Sequence, residues 1–328
     1  MRKNSIIFVC FWVVLFDLLS CRDGDKKAPY NKHDNNSILS WVSSHPNEEI
    51  TKYKNVSVFL KRHKVYIALT TSPERIKHID LVLKSIDLTH VENVILAIPR
   101  VFERDATSYK IPEAIENRDK LIVLHIDKDL GPITKLIPAV KYIKGLGDQE
   151  SIVITIDDDT AYPIGMVNQM IKELAFRSQT ALGASNRHIS AWGLREDLWP
   201  EADQNVLEGY GGIAYRVGDV DHERMLEIVA KQFALEGGNS CYLSDDIVIN
   251  YVLASRGIRR GEINNRFFNY DLLTQYSYGF EADALHRGAG VNRNTGIQGE
   301  ADINRGKYLD CYRFMTKEFP MRDFQVCE

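Results

Sequence analysis

The sequence predicts an α/β domain built on a mostly parallel β-sheet with helices on both faces. Four apolar runs rich in β-branched residues lie along the chain: VYIALTT at 65–71, NVILAIP at 93–99, LIVLHID at 121–127 and SIVITIDDD at 151–159. The segments between them, such as ERIKHIDLVLKSI at 74–86, carry apolar residues at helical spacing. Strands that alternate with helices pair in parallel and are covered on both sides. We therefore expect a single domain over residues 65–328.

Composition is compatible with a globular domain and excludes one class of partner. The chain has 328 residues, of which 44% are hydrophobic and 26% are charged, with a net charge of −4. The lysines and arginines are scattered along the sequence rather than clustered. No basic surface is predicted, so we expect no nucleic-acid partner.

The first 21 residues predict an export signal. Arg2 and Lys3 precede the apolar segment 6–16, and DLLSC follows, ending at Cys21. LLSC resembles the lipobox of bacterial lipoproteins, in which the cysteine is lipidated. The alternatives are an uncleaved type II signal anchor, with the domain in a lumen, and ordinary cleaved secretion. All three place the domain outside the cytosol, and the first two tether it to a membrane.

Residues 22–64 are polar and predict a stem or linker before the domain. The cysteines beyond this segment are Cys241, Cys311 and Cys327, an odd number without a CxxC pair, which argues against structural zinc. A bridge between Cys311 and Cys327 is allowed. It would leave Cys241 as a small buried thiol.

Polar residues collect where the predicted strands end. They are Thr70 and Thr71, Pro99 and Arg100, Asp127, and Asp157 to Asp159. The carboxyl ends of parallel strands form the ligand crevice in such sheets.

Three consecutive aspartates at the end of a buried strand predict a cation site. In extended backbone, Asp157 and Asp159 point the same way and Asp158 points elsewhere. Two hard carboxylate ligands suit Mg²⁺ or Mn²⁺ bound together with a phosphorylated substrate. The ordinary alternative is a solvated acidic turn. The D-x-D-x-T pattern of phosphatases with an aspartate nucleophile is excluded because residue 161 is alanine.

Five stretches, in this order, resemble the nucleotide-sugar-dependent glycosyltransferases of the GT-A fold. IVITIDDDTAYP at 152–163 is similar to their D-x-D strand, and IALTTSPERI at 67–76 to their first strand and nucleotide loop. The other three are DLGPITKLIPAV at 129–140, EGYGGIAYR at 208–216 and YLSDDIVINYVLASRG at 242–257. The resemblance covers roughly residues 65 to 290.

This resemblance implies a GT-A-like (Rossmann-like) catalytic domain. The implied reaction is metal-dependent transfer of a sugar, of the hexosyltransferase type, from a nucleoside-diphosphate sugar to the hydroxyl of a glycan or other acceptor. A UDP-sugar is the foremost donor, and Mn²⁺ or Mg²⁺ is the metal.

The resemblance also implies a donor site. Lys135 falls in the first turn of a predicted helix, where amides and a cation could meet a diphosphate, although an ordinary surface lysine would look the same. Gly211 and Gly212 allow close approach to a ligand or serve a tight turn. The predicted donor-binding residues are Thr70, Thr71, Arg75, Lys135, Asp158, Gly211, Gly212 and Arg287.

The catalytic and metal-binding residues are implied in the same way. Ser244 can cap a helix whose first turn holds Asp245 and Asp246, a position that favours acids even without a function. In the family a carboxylate here receives the acceptor proton, so Asp246 is the expected base in an inverting reaction, with Asp245 binding the acceptor or exchanging roles with it. Asp157 and Asp159 are the expected metal ligands, with His286 as a third unless it is a surface histidine.

Two other functions fit parts of the sequence. Nucleotidyl or phosphoryl transfer also uses aspartates at strand ends and Mg²⁺, but the chain has no GxxxxGK[ST] motif. A membrane-tethered carbohydrate-binding protein on a degenerate transferase fold is the non-enzymatic alternative. In the transferase interpretation, Trp192 and Trp199 could stack on sugar faces, or they belong to the core.

Overall fold

The computed structural model describes residues 56–104, 106–192, 194, 205–235, 240–263 and 298–321. The predicted signal segment, most of the predicted linker, Trp199, His286, Arg287 and Cys327 lie outside these residues. The strands are β1 Val65–Thr70, β2 Asn93–Pro99, β3 Leu121–Ile126, β4 Ile152–Thr155, β5 Thr180–Gly183, β6 Asn186–His188, β7 Asn205–Leu207, β8 Ile213–Arg216 and β9 Arg259–Glu262. After a helical segment at residues 56–62, the α-helices are α1 Ile79–Ser85, α2 Glu113–Glu116, α3 Ile137–Gly145, α4 Met166–Leu174, α5 His222–Phe233, α6 Asp245–Ser255 and α7 Gln298–Glu318.

Seven strands form one sheet in the order β3-β2-β1-β4-β8-β5-β9. β1 pairs in parallel with both β2 and β4, β2 with β3, and β5 with β9, whereas β8 runs antiparallel between β4 and β5. β6 and β7 form a separate antiparallel pair. The predicted mostly parallel sheet of a single α/β domain is confirmed, and the four strands predicted from apolar runs are β1 to β4.

Hydrophobic side chains fill both faces of the sheet. Along β1, Val65, Ile67 and Leu69 join the core beneath α1 and α4, while Tyr66 and Ala68 join the core formed with α3, α5, α6 and α7. This alternation is the period-two pattern of a strand that is buried on both sides. Because the carboxyl ends of β1 to β4 lie at one edge, the polar residues that follow them meet there.

A disulfide joins Cys241 to Cys311, and both cysteines are fully buried. The predicted bridge between Cys311 and Cys327, with Cys241 as a free thiol, is therefore wrong. Helix α7 packs against α5 and α6, which brings Cys311 beside the segment that leads into α6, with the two Cα atoms 4.8 Å apart. The sequence favoured Cys327 because it lies close to Cys311 along the chain. The packing that brings Cys241 to Cys311 joins residues 70 positions apart.

The globule begins before the predicted end of the linker. Residues 56–62 are helical, and Phe59 is buried in the same core as α1 and α4. Within the described ranges, no helix is long and apolar enough to span a membrane.

Candidate active site

Arg75 joins the last two aspartates at the end of β4. Its guanidinium Nη1 lies 2.8 Å from Asp158 Oδ1, and Nη2 contacts Asp159. Asp158 also accepts a hydrogen bond of 2.6 Å from the Thr71 hydroxyl. Arg75, Thr71 and Asp158 are all buried. One buried cation from the loop after β1 thus balances two of the three carboxylates.

Asp157 turns to a different cation. Its Oδ1 lies 2.7 Å from Lys135 Nζ. We predicted that Asp157 and Asp159 share one direction while Asp158 points elsewhere, but Asp158 and Asp159 share Arg75 instead. The period-two rule fails here because strand pairing ends at Thr155 and residues 158 and 159 form a turn.

Lys135 bridges the two acidic segments of the site. It is buried, and its ammonium lies 2.7 Å from Asp157 and 3.0 Å from Asp245 Oδ2. Burial alone would lower the pKa of Lys135, but the charges of Asp157, Asp245 and Asp246 raise it well above its usual value. Lys135 therefore stays charged and holds the end of β4 against the start of α6.

A tight turn, rather than the first turn of an α-helix, places Lys135. Gly131–Lys135 is a 3₁₀-helix that precedes α3. Gly131 has φ +73°, and Asp129 accepts hydrogen bonds from the Gly131 amide (2.8 Å) and the Tyr242 hydroxyl (2.8 Å). Lys135 was predicted in the first turn of a helix, but it is the last residue of this 3₁₀-helix, which begins at a glycine with positive φ.

Asp245 and Asp246 occupy the first turn of α6, as predicted. Ser244 lies at the N-cap position, although its side chain makes no capping bond. Asp246 Oδ1 accepts a hydrogen bond of 3.0 Å from the Gly209 amide. Burial, followed by the like charge of Asp245, raises the pKa of Asp246 well above its usual range. A carboxylate with a raised pKa is a stronger base once it has lost its proton.

Asn250 fixes the helix that carries these acids. Its amide exchanges hydrogen bonds of 2.9 and 3.0 Å with the backbone of Leu207 and donates one of 2.7 Å to the Asp246 carbonyl. Asn250 is fully buried, so the start of α6 is tied to β7 through a satisfied polar contact.

Within the described residues, the other predicted donor residues are Thr70, Gly211 and Gly212, and they lie at the same edge of the sheet. Thr70 ends β1 and donates its hydroxyl to the Ala97 carbonyl at 2.8 Å. Gly211 and Gly212 lie in the loop that connects β7 to β8, and Gly212 has φ +85°. The left-handed backbone at Gly212 supports the tight-turn interpretation of this glycine.

Tyr162 connects the two loops and was not predicted. Its hydroxyl accepts the Asp157 amide at 2.8 Å and donates to the Tyr210 carbonyl at 3.1 Å. Burial, then the charge of Asp157, raises the pKa of Tyr162 well above its usual value, so the phenol stays neutral. The sequence around Tyr162 gave no signal of this role, because the contact with the Tyr210 carbonyl joins residues 48 positions apart.

Asp157 and Asp159 supply some of the oxygen ligands that a hard cation needs. Each uses one oxygen on an internal cation, and their side chains are 29% and 17% exposed, so the second oxygen of each remains a candidate ligand. Over the described ranges, no group of three or more His, Cys, Asp and Glu side chains is arranged to hold a metal. Two carboxylates suffice for Mg²⁺ or Mn²⁺ when water and phosphate oxygens complete the shell. His286, the predicted third ligand, and Arg287 lie outside these ranges.

No protein-family model matches the chain, and no curated protein matches its sequence. Among solved structures, glucosyl-3-phosphoglycerate synthase from Mycobacterium tuberculosis is 13% identical over 79% of this chain and 84% of its own, with a TM-score of 0.41. The same enzyme, solved with Mn²⁺, UDP and glucosyl-3-phosphoglycerate, is 15% identical over 74% and 86%, with a TM-score of 0.36.

Two further solved structures are similar at the same level. A 4-diphosphocytidyl-2C-methyl-D-erythritol synthase is 9% identical over 75% of this chain and 98% of its own, with a TM-score of 0.34. The bifunctional glycosyltransferase WbbM is 13% identical over 81% and 53%, with a TM-score of 0.33. All of these TM-scores lie below 0.5, so the mostly parallel α/β architecture of this chain rests on its own strand order, with one antiparallel strand beside β4.

Proposed function

We propose that the chain is a metal-dependent glycosyltransferase. It moves a hexosyl group from a nucleoside-diphosphate sugar, with a UDP-sugar as the foremost donor, to a hydroxyl of a glycan or glycoconjugate. The observation that carries this proposal is the Lys135 bridge, which brings the acids at the end of β4 within one ammonium of the acids at the start of α6. The chemistry needs one acidic group for the leaving diphosphate and another for the acceptor.

The first acidic group serves the donor. Asp157 and Asp159, with His286, would hold Mn²⁺ or Mg²⁺, and the bound cation would offset the negative charge of the departing nucleoside diphosphate. Ion pairs with Arg75 and Lys135 fix these two carboxylates in place. Thr70, Thr71, Gly211 and Gly212 line the same edge, where we place the nucleotide and sugar.

The second acidic group serves the acceptor. In an inverting reaction Asp246 takes the proton of the acceptor hydroxyl, and in a retaining reaction it orients that hydroxyl. The raised pKa of Asp246 favours proton uptake. Asp245, paired with Lys135, keeps the helix start in register with the end of β4.

We place the domain outside the cytosol on an N-terminal membrane tether. The support is the positively flanked apolar segment 6–16 and Cys21, which follows it. The Cys241–Cys311 disulfide agrees with an oxidising compartment. A lipoprotein and a type II signal anchor both satisfy these observations.

The proposal is tested by turnover of UDP-glucose, UDP-galactose, UDP-N-acetylglucosamine and GDP-mannose, each with Mn²⁺ and with methyl glycosides as acceptors. We expect release of a nucleoside diphosphate from at least one donor. Asp246→Asn should lower kcat by about 10²- to 10⁴-fold, because the amide cannot accept the proton. The side-chain oxygen of this variant should still accept the hydrogen bond from the Gly209 amide. The control is Asp310→Asn, at an exposed position on α7.

Three results would contradict this proposal. Full turnover by Asp246→Asn would show that Asp246 is not the catalytic base. Release of pyrophosphate from a nucleoside triphosphate and a sugar phosphate would identify a nucleotidyltransferase. Glycoside binding without turnover of any donor would identify a tethered carbohydrate-binding protein.

A further inference from the structure

A second polar cluster lies beside the candidate active site and has no role in the donor or base chemistry. Its centre is Glu208, whose side chain is 7% exposed. Glu208 Oε2 accepts a hydrogen bond of 2.5 Å from the Ser185 hydroxyl, and Oε1 lies 2.9 Å from Arg187 Nε. A buried carboxylate that is satisfied on both oxygens is a rigid anchor.

Two exposed groups are attached to this anchor. The Arg187 side chain is 62% exposed, and its Nε holds it to Glu208. Tyr210 is 41% exposed, and its hydroxyl donates to Ser185 Oγ at 2.9 Å. An aromatic ring and a guanidinium are therefore presented to solvent while one end of each is fixed. Groups that are fixed before binding lose little entropy when a ligand arrives.

The cluster is joined to the active site by one short loop. Gly209, between Glu208 and Tyr210, donates its amide to Asp246, and the Tyr210 carbonyl accepts the hydroxyl of Tyr162. Helix α7 approaches the same place: burial raises the pKa of Tyr308, and the charges of Asp246, Asp245 and Glu208 add to that effect. The exposed ring and guanidinium thus lie on the side of Asp246, the candidate base.

We propose that Tyr210 and Arg187 form the acceptor subsite and that this subsite takes a neutral sugar. The inference rests on the proposed function and names its acceptor class. The face of an aromatic ring packs against the apolar face of a pyranose, and guanidinium N–H groups donate to sugar hydroxyls. Glu208 neutralises Arg187, so the subsite has no net positive charge to favour an anionic acceptor.

The test uses the full chain and ligand-observed NMR saturation transfer. The probes are the methyl glycosides of glucose, galactose, mannose and N-acetylglucosamine, with methyl glucuronide and inorganic phosphate as anionic comparators. UDP with Mn²⁺ is titrated into the same samples. The variants are Tyr210→Ala, which removes the ring, Tyr210→Phe, which keeps the ring and drops only the hydroxyl, and Arg187→Gln.

At least one neutral glycoside is expected to bind. Tyr210→Ala should weaken it by about 10-fold, the equivalent of one lost stacking contact. Tyr210→Phe should weaken it by less than about 3-fold, since the ring remains. UDP affinity should stay unchanged in all three variants.

Three outcomes would overturn the subsite: no binding of any of the four neutral glycosides, binding that Tyr210→Ala and Arg187→Gln leave unchanged, or tighter binding of glucuronide or phosphate than of the neutral glycosides. Glycoside binding that depends on Tyr210 without any UDP binding would support a neutral-sugar site and contradict the transferase proposal. The two proposals can therefore fail separately.

Discussion

At the scale of single residues, the three aspartates at the end of β4 are tolerated because each has a cation. Asp158 and Asp159 share the buried Arg75, and Asp157 meets the buried Lys135. Like charges this close would otherwise force one another to take up protons. Removing one partner of a buried ion pair costs about 3–5 kcal/mol, so Arg75 and Lys135 are as necessary as the acids they hold.

The sequence identified both groups of acids but not their partners. Strand-end and first-turn positions follow from local rules, which located Asp157 to Asp159 after β4 and Asp245 and Asp246 in the first turn of α6, although the predicted directions of the first three were wrong. The pairings of Arg75 with Asp158 and of Ser185 with Glu208 join residues 83 and 23 positions apart. Such contacts depend on how the sheet brings loops together, and residue type alone gives no signal of them.

Asp158 makes stability depend on pH. Burial, opposed by Arg75 and reinforced by Asp159, raises its pKa from 3.8 to about 6. Because the pKa is higher in the folded state than in the unfolded chain, its contribution to stability is full below about pH 4 and is lost as pH rises through about 6. We expect urea unfolding to show a loss of about 3 kcal/mol from this group between pH 4 and pH 7.

The matched variant for this prediction is Asp158→Asn, which cannot titrate. The difference in unfolding free energy between the native chain and the variant should fall as pH rises across that window. A difference that stays constant from pH 4 to pH 7 would show that Asp158 has an ordinary pKa.

At the scale of elements, the turn Gly131–Lys135 decides where the bridging lysine lies. A Cβ on Gly131 would lie 2.2 Å from the Tyr242 carbonyl oxygen, and the residue has φ +73°. The sequence predicted that Gly131 and Pro132 make a turn and that Lys135 falls in the first turn of the helix that follows. It could not predict the 3₁₀ geometry, which depends on the contacts of Asp129 with Gly131 and Tyr242.

Gly131→Ala should destabilise the fold by about 2–4 kcal/mol, since backbone strain and a backbone clash act together. The matched control is Gly147→Ala, which has φ +79° but open space around the added methyl group, and should cost about 1 kcal/mol. Thermal and urea unfolding measure both. Equal effects of the two substitutions would show that the space at Gly131 is not restrictive.

At the scale of the whole molecule, strands β1 to β4 of the sheet were predictable and the arrangement of the remaining strands was not. β1 to β4 are continuous apolar runs, the pattern of strands buried on both faces. β5, β8 and β9 contain four residues each and carry less pattern, so their order and the antiparallel direction of β8 emerge only from tertiary packing.

The Cys241–Cys311 disulfide ties the C-terminal helix α7 to the segment that begins α6. It closes a loop of 70 residues, and its removal should lower the free energy of unfolding by about 2–4 kcal/mol. Mass spectrometry of non-reduced peptides should find Cys241 linked to Cys311, and Cys311→Ser should lose this stability. Cys327→Ser should leave the free energy of unfolding unchanged. A Cys311–Cys327 peptide would contradict the packing of α7 described above.

The most direct test of the account is a calorimetric titration of the full chain with UDP, and then GDP, each with and without Mn²⁺. We expect UDP to bind only in the presence of Mn²⁺. Asp159→Asn should abolish that binding, and Asp127→Asn, an 88% exposed carboxylate at the same edge of the sheet, should leave it intact. Failure of the folded chain to bind either nucleotide, or equal binding by Asp159→Asn, would contradict a nucleotide-sugar site at the end of β4.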